Sequence, residues 1–256
     1  MRLPRILILG GTTESRRLAG KLAERGDCEI TLSLAGRTET PMAQPVPVRS
    51  GGFGGAQGLA AYLRDHAIDL MIDATHPFAA RISANAAEAS RLVGTPLFAL
   101  RRPAWELHEG ERWTSVASMP EAVTALGETP KRVFLAIGRQ EAFHFEAAPQ
   151  HSYLVRSVDP VTPPLALPDV RYILSAGPFA ETDEHRLLTE NRIDIIVAKN
   201  SGGDATYGKI AAARRLGLPV IMVERQPTPD VRAVGTVAEA LLAVDHILSP
   251  AMKRGV

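Results

Sequence analysis

The chain has one cysteine, Cys28, among its 256 residues. A single thiol cannot form an internal disulfide, and it excludes most metal sites built on cysteine, so no bound metal is expected. The sequence also lacks an unbroken apolar run of about 18 residues, which a membrane-spanning helix requires. Its start lacks the long hydrophobic region and cleavage site of a secretory signal. These absences predict a cytoplasmic protein with no membrane partner.

Net charge is small as well, because 29 Lys and Arg residues face 28 Asp and Glu residues, for a formal charge of +1. This balance gives no reason to expect nucleic acid as a partner, although a local basic cluster could bind an anionic small molecule. The hydrophobic fraction of 45% and the charged fraction of 22% are ordinary for a globular chain. The length suits one large domain or two modest ones, and the oligomeric state is left open.

Short β-rich runs alternate with helical patterns, which is typical of βα units and a mainly parallel sheet. The periodicity lapses between Arg101 and Arg112, a charged stretch that contains Pro103, and it restarts at Arg132. We therefore predict an α/β protein with two Rossmann-like lobes, mainly parallel sheets and a cleft between the lobes. The predicted boundaries are residues 1–102 for a dinucleotide-binding lobe and 103–256 for a second α/β lobe.

The individual elements follow from apolar spacing and from glycine and proline punctuation. The predicted strands are 6–9, 29–34, 69–72, 96–100, 132–137, 171–175, 194–198 and 219–223. The predicted helices are 14–25, 57–66, 79–93, 181–190, 207–216 and 237–248, the last closing the second lobe. Four prolines make the stretch 159–169 an irregular connection.

The strongest local signal is the sequence GGTTES at 10–15, directly between the first predicted strand and the first helix. It is not the full GxGxxG fingerprint, but glycines let the backbone approach a diphosphate while amides and the helix dipole attract it. The predicted cofactor contacts are Gly10, Gly11, Thr12, Thr13 and Glu14. The alternative is a plain strand-to-helix turn in which Thr12 or Thr13 caps the helix.

The second predicted strand ends without the acidic residue that an NAD-selective site places there to hold the ribose hydroxyls. Arg37 and Thr38 follow instead, and a guanidinium with a hydroxyl suits a ribose 2′-phosphate. This pattern favours NADPH over NADH. The alternative for Arg37 is a solvated loop arginine.

The segment from Asp73 to Ala79, DATHPFA, follows the third predicted strand. Open α/β sheets bind their ligands at the carboxyl ends of their strands, so Thr75, His76 and Pro77 are predicted cofactor contacts. His76 could also donate a proton, and Pro77 should lie just inside the next helix. The alternative for His76 is a capping or internally hydrogen-bonded residue, and for Asp73 an N-terminal cap or a loop anchor.

In the second lobe, the loop KNSGGD at 199–204 places amide, hydroxyl and ammonium donors at another strand end. An anion site there would use Lys199, Asn200, Ser201, Gly202 and, from the next helix, Lys209. The alternative is a glycine-rich loop with solvated lysines. The turns at 138–139 and 175–179 are weaker signals of the same kind.

In this order, the GGTTES, ATHPFA, GPF and KNSGG segments resemble the precorrin-6A reductase family over nearly the whole chain. The resemblance implies that NADP lies between two lobes and that one carbon–carbon double bond of a ring-contracted tetrapyrrole is reduced to give precorrin-6B. The anaerobic branch of the family uses the cobalt-bound analogue. The resemblance assigns cofactor contact to residues 11–14 and to Thr75 and His76, and it turns residues 199–201 toward the cleft. Relatives have Arg directly before Pro where this chain has Arg225-Gln226-Pro227, so the role of Arg225 is open.

The implied substrate is an anionic tetrapyrrole, which needs cationic hydrogen-bond donors around an apolar surface. The candidates are Arg81, Arg101, Arg102, Arg139, Arg156 and Lys209. Two other functions are compatible with the phosphate signals. One is a different NADP-dependent reductase or epimerase, although no tyrosine is followed four residues later by lysine. The other is a non-catalytic NADP sensor.

Overall fold

The structure is a computed structural model that describes residues 2–36 and 43–249. The chain forms two compact units, one built from the residues up to Pro103 together with those from Pro227 onward, the other from Ala104–Gln226. Each unit contains one six-stranded sheet, and every strand pair in the described residues is parallel. The predicted α/β class with two Rossmann-like lobes is therefore confirmed. No helix within the described residues is long and apolar enough to cross a membrane.

Twelve strands and seven α-helices make up the two units of the described chain. The strands are β1 (Arg5–Leu9), β2 (Glu29–Leu34), β3 (Val48–Ser50), β4 (Leu70–Asp73), β5 (Leu97–Leu100), β6 (Arg112–Val116), β7 (Arg132–Ala136), β8 (Ser152–Ser157), β9 (Val170–Leu174), β10 (Ile195–Lys199), β11 (Pro219–Val223) and β12 (Ala233–Val234). The helices are α1 (Thr13–Arg25), α2 (Gly55–Asp65), α3 (Ala80–Val93), α4 (Met119–Leu126), α5 (Glu181–Glu190), α6 (Gly208–Leu216) and α7 (Val237–Leu248). All predicted elements are present, with ends that differ by at most two residues.

The first sheet has the strand order β12-β5-β4-β1-β2-β3. Its central strand β1 is apolar because both faces are covered, and Ile6, Leu7 and Ile8 are fully buried. On one face, α1 buries Leu18 and Leu22. Gly26 ends α1 in the left-handed conformation at φ 68°, as its position in the sequence predicts. Because β1 and β4 are neighbouring parallel strands, their carboxyl ends meet at one edge of this sheet.

The predicted second lobe, 103–256, is wrong at its carboxyl end. The chain returns to the first unit after Gln226, where β12 pairs with β5 and α7 packs beside α1. Ala240, Ala243 and Val244 of α7 belong to the same buried cluster as the core of the first sheet. An amphipathic helix shows which of its faces is buried but not which sheet it covers, so periodicity could not assign α7 to its unit.

The second sheet has the order β6-β11-β10-β7-β8-β9, and its strands β7 to β11 repeat the topology of β1 to β5 in the first. The edge strands differ, because β12 comes last in its sheet and β6 comes first in its own. From β1 and from β7, the chain adds two strands on one side and then crosses to the other side. A right-handed parallel crossover of this kind creates a switch point, where the loops after two neighbouring strands diverge. The switch points lie between β1 and β4 in the first unit and between β7 and β10 in the second.

Candidate functional site

Two of the three predicted cofactor segments, 10–14 and 75–77, meet at the switch point of the first sheet. Leu9 ends β1 and is the register partner of Asp73, which ends β4, so the loops at 10–14 and 74–77 start side by side. The Thr12 hydroxyl donates to the Ala74 carbonyl at 2.9 Å and joins the two loops. The structure thus brings together the two segments that sequence analysis singled out in this lobe.

The glycine turn is held by a reciprocal cap. Thr12 is the N-cap of α1, and its Oγ1 accepts from the Ser15 amide at 3.0 Å. The Ser15 Oγ in turn accepts from the amides of Gly11 at 3.2 Å and Thr12 at 3.1 Å. Gly11 has φ +115°, and a Cβ built on Gly10 would lie 2.5 Å from Leu32 Cδ1. The capping interpretation of Thr12 is therefore confirmed, the positive φ favours glycine at position 11, and a side chain at position 10 would displace Leu32.

The cap leaves the next two amides of the turn for a ligand. Thr13 and Glu14 are the first two residues of α1, whose N–H groups have no acceptor within the helix. These amides and the helix dipole produce positive potential at the switch point. The Glu14 carboxylate accepts a hydrogen bond from Arg102 at 2.5 Å, and both side chains are mostly buried. Arg102 therefore neutralises the acidic group beside the helix N-terminus.

Ser15 is a site residue that the sequence prediction missed as a functional group. The signal was present, because a hydroxyl at the N-cap followed three residues later by a side-chain acceptor is the pattern of a capping box. Ser15 is 1% exposed, and its hydroxyl also donates to the Thr12 carbonyl at 2.7 Å. These hydrogen bonds of Ser15 hold the backbone of the glycine turn in place.

The loop after β4 is anchored by its own polar residues. Asp73 is buried, and its Oδ1 accepts from the Thr75 amide at 3.2 Å and the Thr75 hydroxyl at 2.7 Å, so the loop-anchor interpretation is confirmed. His76 Nδ1 accepts from the Phe78 amide at 3.3 Å. Because an amide can only donate, the neutral imidazole carries its proton on Nε2.

Pro77 does not lie inside the next helix as predicted. It belongs to a turn, and α3 begins only at Ala80 with Ala79 as its N-cap. The reason is the bond from the Ala79 amide to the His76 carbonyl at 2.7 Å, which closes a separate turn before the helix starts.

Arg37 and Thr38 lie outside the described residues, so their roles stay predictions. The chain before them is described up to Gly36, which follows β2 at the same edge of the sheet. A Cβ on Gly36 would lie 3.4 Å from the Gly51 amide nitrogen, so the loops after β2 and β3 approach closely there.

Arg101 places a further cation at this edge. It follows β5, and its Nη1 lies 3.4 Å from the Pro229 carbonyl. Its Nη2 is buried and has no hydrogen-bond acceptor in the described part of the chain. A buried guanidinium nitrogen without an acceptor is costly, and an anion at this edge would satisfy it.

The KNSGG loop of the second unit is held by hydrogen bonds to other residues of that unit. Asn200 is buried, its Oδ1 accepts from the Trp105 amide at 2.8 Å, and its Nδ2 donates to the Trp105 carbonyl and to Glu224 at 3.1 Å each. Arg225 donates to the carbonyls of Asn200 at 2.8 Å and Ser201 at 3.0 Å. The Asn200 side chain is therefore bound within its own unit, and the position of residues 199–201 at a cleft stays a prediction. Arg225, whose role was open, holds this loop through its carbonyls.

The two lysines of the predicted anion site differ in environment. Lys199 forms an ion pair with Glu141 and remains partly exposed. Lys209 is 3% exposed, donates to the Thr206 carbonyl at 2.6 Å and lies 4.6 Å above the Trp105 ring. Lys209 is thus committed to the core of its unit, because it lies in the buried stretch of α6 from Gly208 to Ala213. Gly202 adopts φ +67°, which its position in the loop requires.

Arg156, another predicted substrate ligand, is buried with Glu184 in a bidentate ion pair, with distances of 2.5 and 2.9 Å. Its guanidinium also stacks over the Phe179 ring at 3.8 Å. These contacts occupy both of its terminal nitrogens. No three His, Cys, Asp or Glu side chains within the described ranges group together in a way that could hold a metal ion.

Comparison with known proteins places this geometry in a family. The family model "Precorrin-6x reductase CbiJ/CobK" matches residues 5–245. A precorrin-6A reductase of Sinorhizobium sp is 64% identical, over 98% of this chain and 96% of that protein. The precorrin-6A reductase of Rhodobacter capsulatus is 48% identical, over 97% of this chain and 99% of that protein. A solved structure described as CobK precorrin-6A reductase has a TM-score of 0.93 at 46% identity and covers 99% of this chain and 100% of its own. The chain belongs to the precorrin-6A reductase family.

Proposed function

We propose that the chain reduces precorrin-6A with NADPH in cobalamin biosynthesis, saturating one double bond of the macrocycle to give precorrin-6B. The observation that carries the proposal is the glycine turn of a family member, which lies at the switch point of a six-stranded parallel sheet. Ligands bind at such switch points in open α/β sheets. The substrate is the one named for the relatives at 64% and 48% identity.

The residues at this edge fit the diphosphate of a dinucleotide. A Cβ built on Gly11 would meet no atom within 4 Å, so there is space for a ligand to approach the backbone. The amides of Thr13 and Glu14 point out of the first turn of α1. Arg102 neutralises Glu14, and the unsatisfied Nη2 of Arg101 supplies a donor at the same edge. An anion gains hydrogen bonds from this set without facing an unpaired carboxylate.

NADPH supplies the hydride when it is bound. The tasks of the protein are to hold the diphosphate on the first turn of α1 and to orient the macrocycle. A proton completes the reduction, and it comes from His76 Nε2 or from water. The bond from the Phe78 amide to His76 Nδ1 keeps Nε2 as the protonated atom.

Selectivity for NADPH is proposed to rest on Arg37 and Thr38. Replacing Arg37 with alanine removes a charge-assisted contact with the 2′-phosphate, which is worth about 1.5–3 kcal/mol. NADPH affinity should therefore fall about tenfold to 150-fold, while NADH affinity stays unchanged. Titration of both cofactors by nicotinamide fluorescence measures this difference. Equal weakening of the two cofactors would remove Arg37 from the role.

The function itself is tested by mixing the protein with NADPH and precorrin-6A and following the absorbance of the nicotinamide. Loss of that absorbance only when both are present supports the reductase. Binding of NADPH without oxidation would favour a sensor, and oxidation with a different carbonyl or sugar substrate would favour another reductase or epimerase. Cobalt-precorrin-6A in a parallel assay decides whether the substrate carries cobalt.

A substitution in the glycine turn tests whether NADPH binds there. Gly11→Val places a β-branched side chain in the open space beside the backbone, at a φ of +115° that valine does not adopt readily. The variant should fold but fail to bind NADPH. Normal NADPH affinity in this variant would refute the placement of the cofactor.

A further inference from the structure

Strands β7 to β11 of the second unit repeat the arrangement of β1 to β5 in the first, so the turn after β1 has an equivalent after β7. In the first unit, Leu9 of β1 is the register partner of Asp73 of β4, and in the second Ala136 of β7 partners Ala198 of β10. This correspondence aligns β1 with β7. Leu9 and Ala136 are the last residues of these two strands. The segment GGTTE at 10–14 then corresponds to IGRQE at 137–141.

The two turns share a backbone feature and an acidic residue. Gly11 and its equivalent Gly138 both have positive φ, +115° and +82°, and neither would place a Cβ within 4 Å of another atom. Both turns end in a glutamate that is paired with a cation at the same edge of its own sheet. Glu14 is paired with Arg102, and Glu141 is paired with Lys199.

The side chains of the turns differ in a way that changes the ligand. Arg139 stands where the first unit has Thr12, and a 3-10 turn at 142–147 stands where the first unit has the long helix α1. Without an α-helix, the second turn lacks the dipole that favours a diphosphate. It has instead a guanidinium, whose planar donors match a carboxylate.

Large apolar side chains are exposed at the same edge of the second sheet. Phe143 follows the turn after β7, Val158 follows β8 directly, and Leu174 ends β9, with exposed fractions of 54%, 54% and 57%. Register pairs Ser157 with Leu174, so the ends of β8 and β9 are neighbours. Apolar surface beside an arginine side chain suits an amphipathic anion better than a nucleotide.

We propose that the edge formed by Gly138, Arg139, Lys199, Phe143, Val158 and Leu174 is the tetrapyrrole-binding surface of the second unit. Arg139 binds a peripheral carboxylate of the macrocycle, and the three apolar side chains contact the face of the ring. This assignment rests on the proposed function for the identity of the macrocycle. The main anion contact of the second unit then lies at the turn 137–141 and not at Asn200 and Lys209.

The contacts of Arg139 orient it for this role. Its Nη1 donates to the Pro160 carbonyl at 3.2 Å, and its Nη2 lies 3.7 Å from Asp159. A guanidinium has five N–H donors and can bind more than one acceptor. Its side chain is 29% exposed, which leaves it accessible.

The test measures precorrin-6A binding without NADPH, by difference absorbance, and the KM for precorrin-6A in the complete assay. Arg139→Ala should raise both the Kd and the KM about tenfold to a hundredfold, while NADPH affinity stays at the wild-type value. Arg139→Lys keeps the charge but loses the planar fork, so its Kd and KM should lie between those of the wild type and those of Arg139→Ala. Phe143→Ser should raise the same constants several-fold.

Two control variants separate ligand binding from structural effects. Arg132→Ala removes the same charge from the opposite end of β7, where Arg132 pairs with Asp194 at 2.9 Å, and should leave both constants unchanged. Asp159→Asn removes the ionic partner of Arg139 and should also stay close to wild type. If Asp159→Asn and Arg139→Ala weaken binding equally, Arg139 acts through its loop and the proposal is overturned.

The remaining outcomes distinguish this inference from the proposed function. Wild-type binding and turnover with normal constants in Arg139→Ala and Arg139→Lys would overturn only the inference. Wild-type binding of precorrin-6A that depends on Arg139, without oxidation of NADPH, would overturn the proposed function and retain the surface. Absence of any precorrin-6A binding to the wild-type protein would overturn both.

Discussion

The buried pair of Arg156 and Glu184 allows a test of whether Arg156 stabilises the second unit or binds substrate. Arg156 lies on β8 and Glu184 on α5, with exposed fractions of 8% and 3%. Two parallel hydrogen bonds join them, and the guanidinium is stacked over Phe179. If this geometry is right, Arg156 stabilises the unit and does not bind substrate.

The expected magnitude follows from the charge that Arg156→Ala would leave behind. Removing one partner of a buried ion pair strands the other in a poorly solvated site, at a cost of about 3–5 kcal/mol. With a urea dependence of about 2 kcal/mol per molar, the unfolding midpoint should fall by about 2 M. Both tryptophans of the chain, Trp105 and Trp113, lie in the second unit, so their fluorescence reports its unfolding.

A double variant supplies the control. Arg156→Met with Glu184→Leu replaces the pair by apolar side chains of similar size, and such replacements are often neutral or stabilising. The double variant should therefore recover most of the stability that the single variant loses. A single variant with an unchanged midpoint and a raised KM for precorrin-6A would refute the reasoning and return Arg156 to the substrate.

Two further predictions concern stability within the same unit. The ring of His151 is buried, its Nδ1 accepts from the Lys131 amide at 3.2 Å, and its Nε2 lies 3.0 Å from the Gly127 carbonyl. Burial, with a smaller contribution from the Lys131 charge, lowers the pKa of His151 below its usual 6.5. Its contribution to stability is then complete above about pH 6.5 and is lost as the pH falls toward the lowered pKa, so urea midpoints should fall less steeply with acid in His151→Gln than in the wild type. Gly208→Ala should cost about 1–3 kcal/mol in the same unfolding assay, because its Cβ would lie 2.5 Å from the Phe179 carbonyl oxygen, and an unchanged midpoint would contradict that packing.

Regular elements with strong periodicity could be predicted from the sequence almost to the residue. The prediction of α7 at 237–248 is exact, because its buried residues Ala240, Ala243 and Val244 recur with helical spacing. Most of the missed strands carry weak signals. Strand β12 has two residues, and β6 lies at a sheet edge where exposed side chains remove the apolar run that marks a buried strand. Strand β8 is buried and its sequence, SYLVRS, contains apolar residues, but it was not predicted.

Contacts between neighbouring residues could be predicted from the sequence, whereas contacts between distant residues could not. The cap by Thr12 and the anchor by Asp73 involve residues within three positions, so turn chemistry alone indicated them. The pairing of Arg156 with Glu184 spans 28 positions and the brace from Asn200 to Trp105 spans 95. Nothing in a single sequence tells a cation that binds a ligand from one that is buried with a carboxylate of another element.

The return of the chain to the first unit makes the proposed cofactor site dependent on both ends of the sequence. Phe98 and Leu100 of β5 are buried in the same cluster as Ala240 and Val244 of α7. Without α7, these apolar side chains would lose their cover on one face of the sheet, at about 25 cal/mol for each Å² exposed. Arg101, which directly follows β5, takes its backbone acceptor from Val234 of β12 at 2.8 Å. The cation proposed for the diphosphate is therefore positioned by residues that the chain reaches only after it has completed the second sheet.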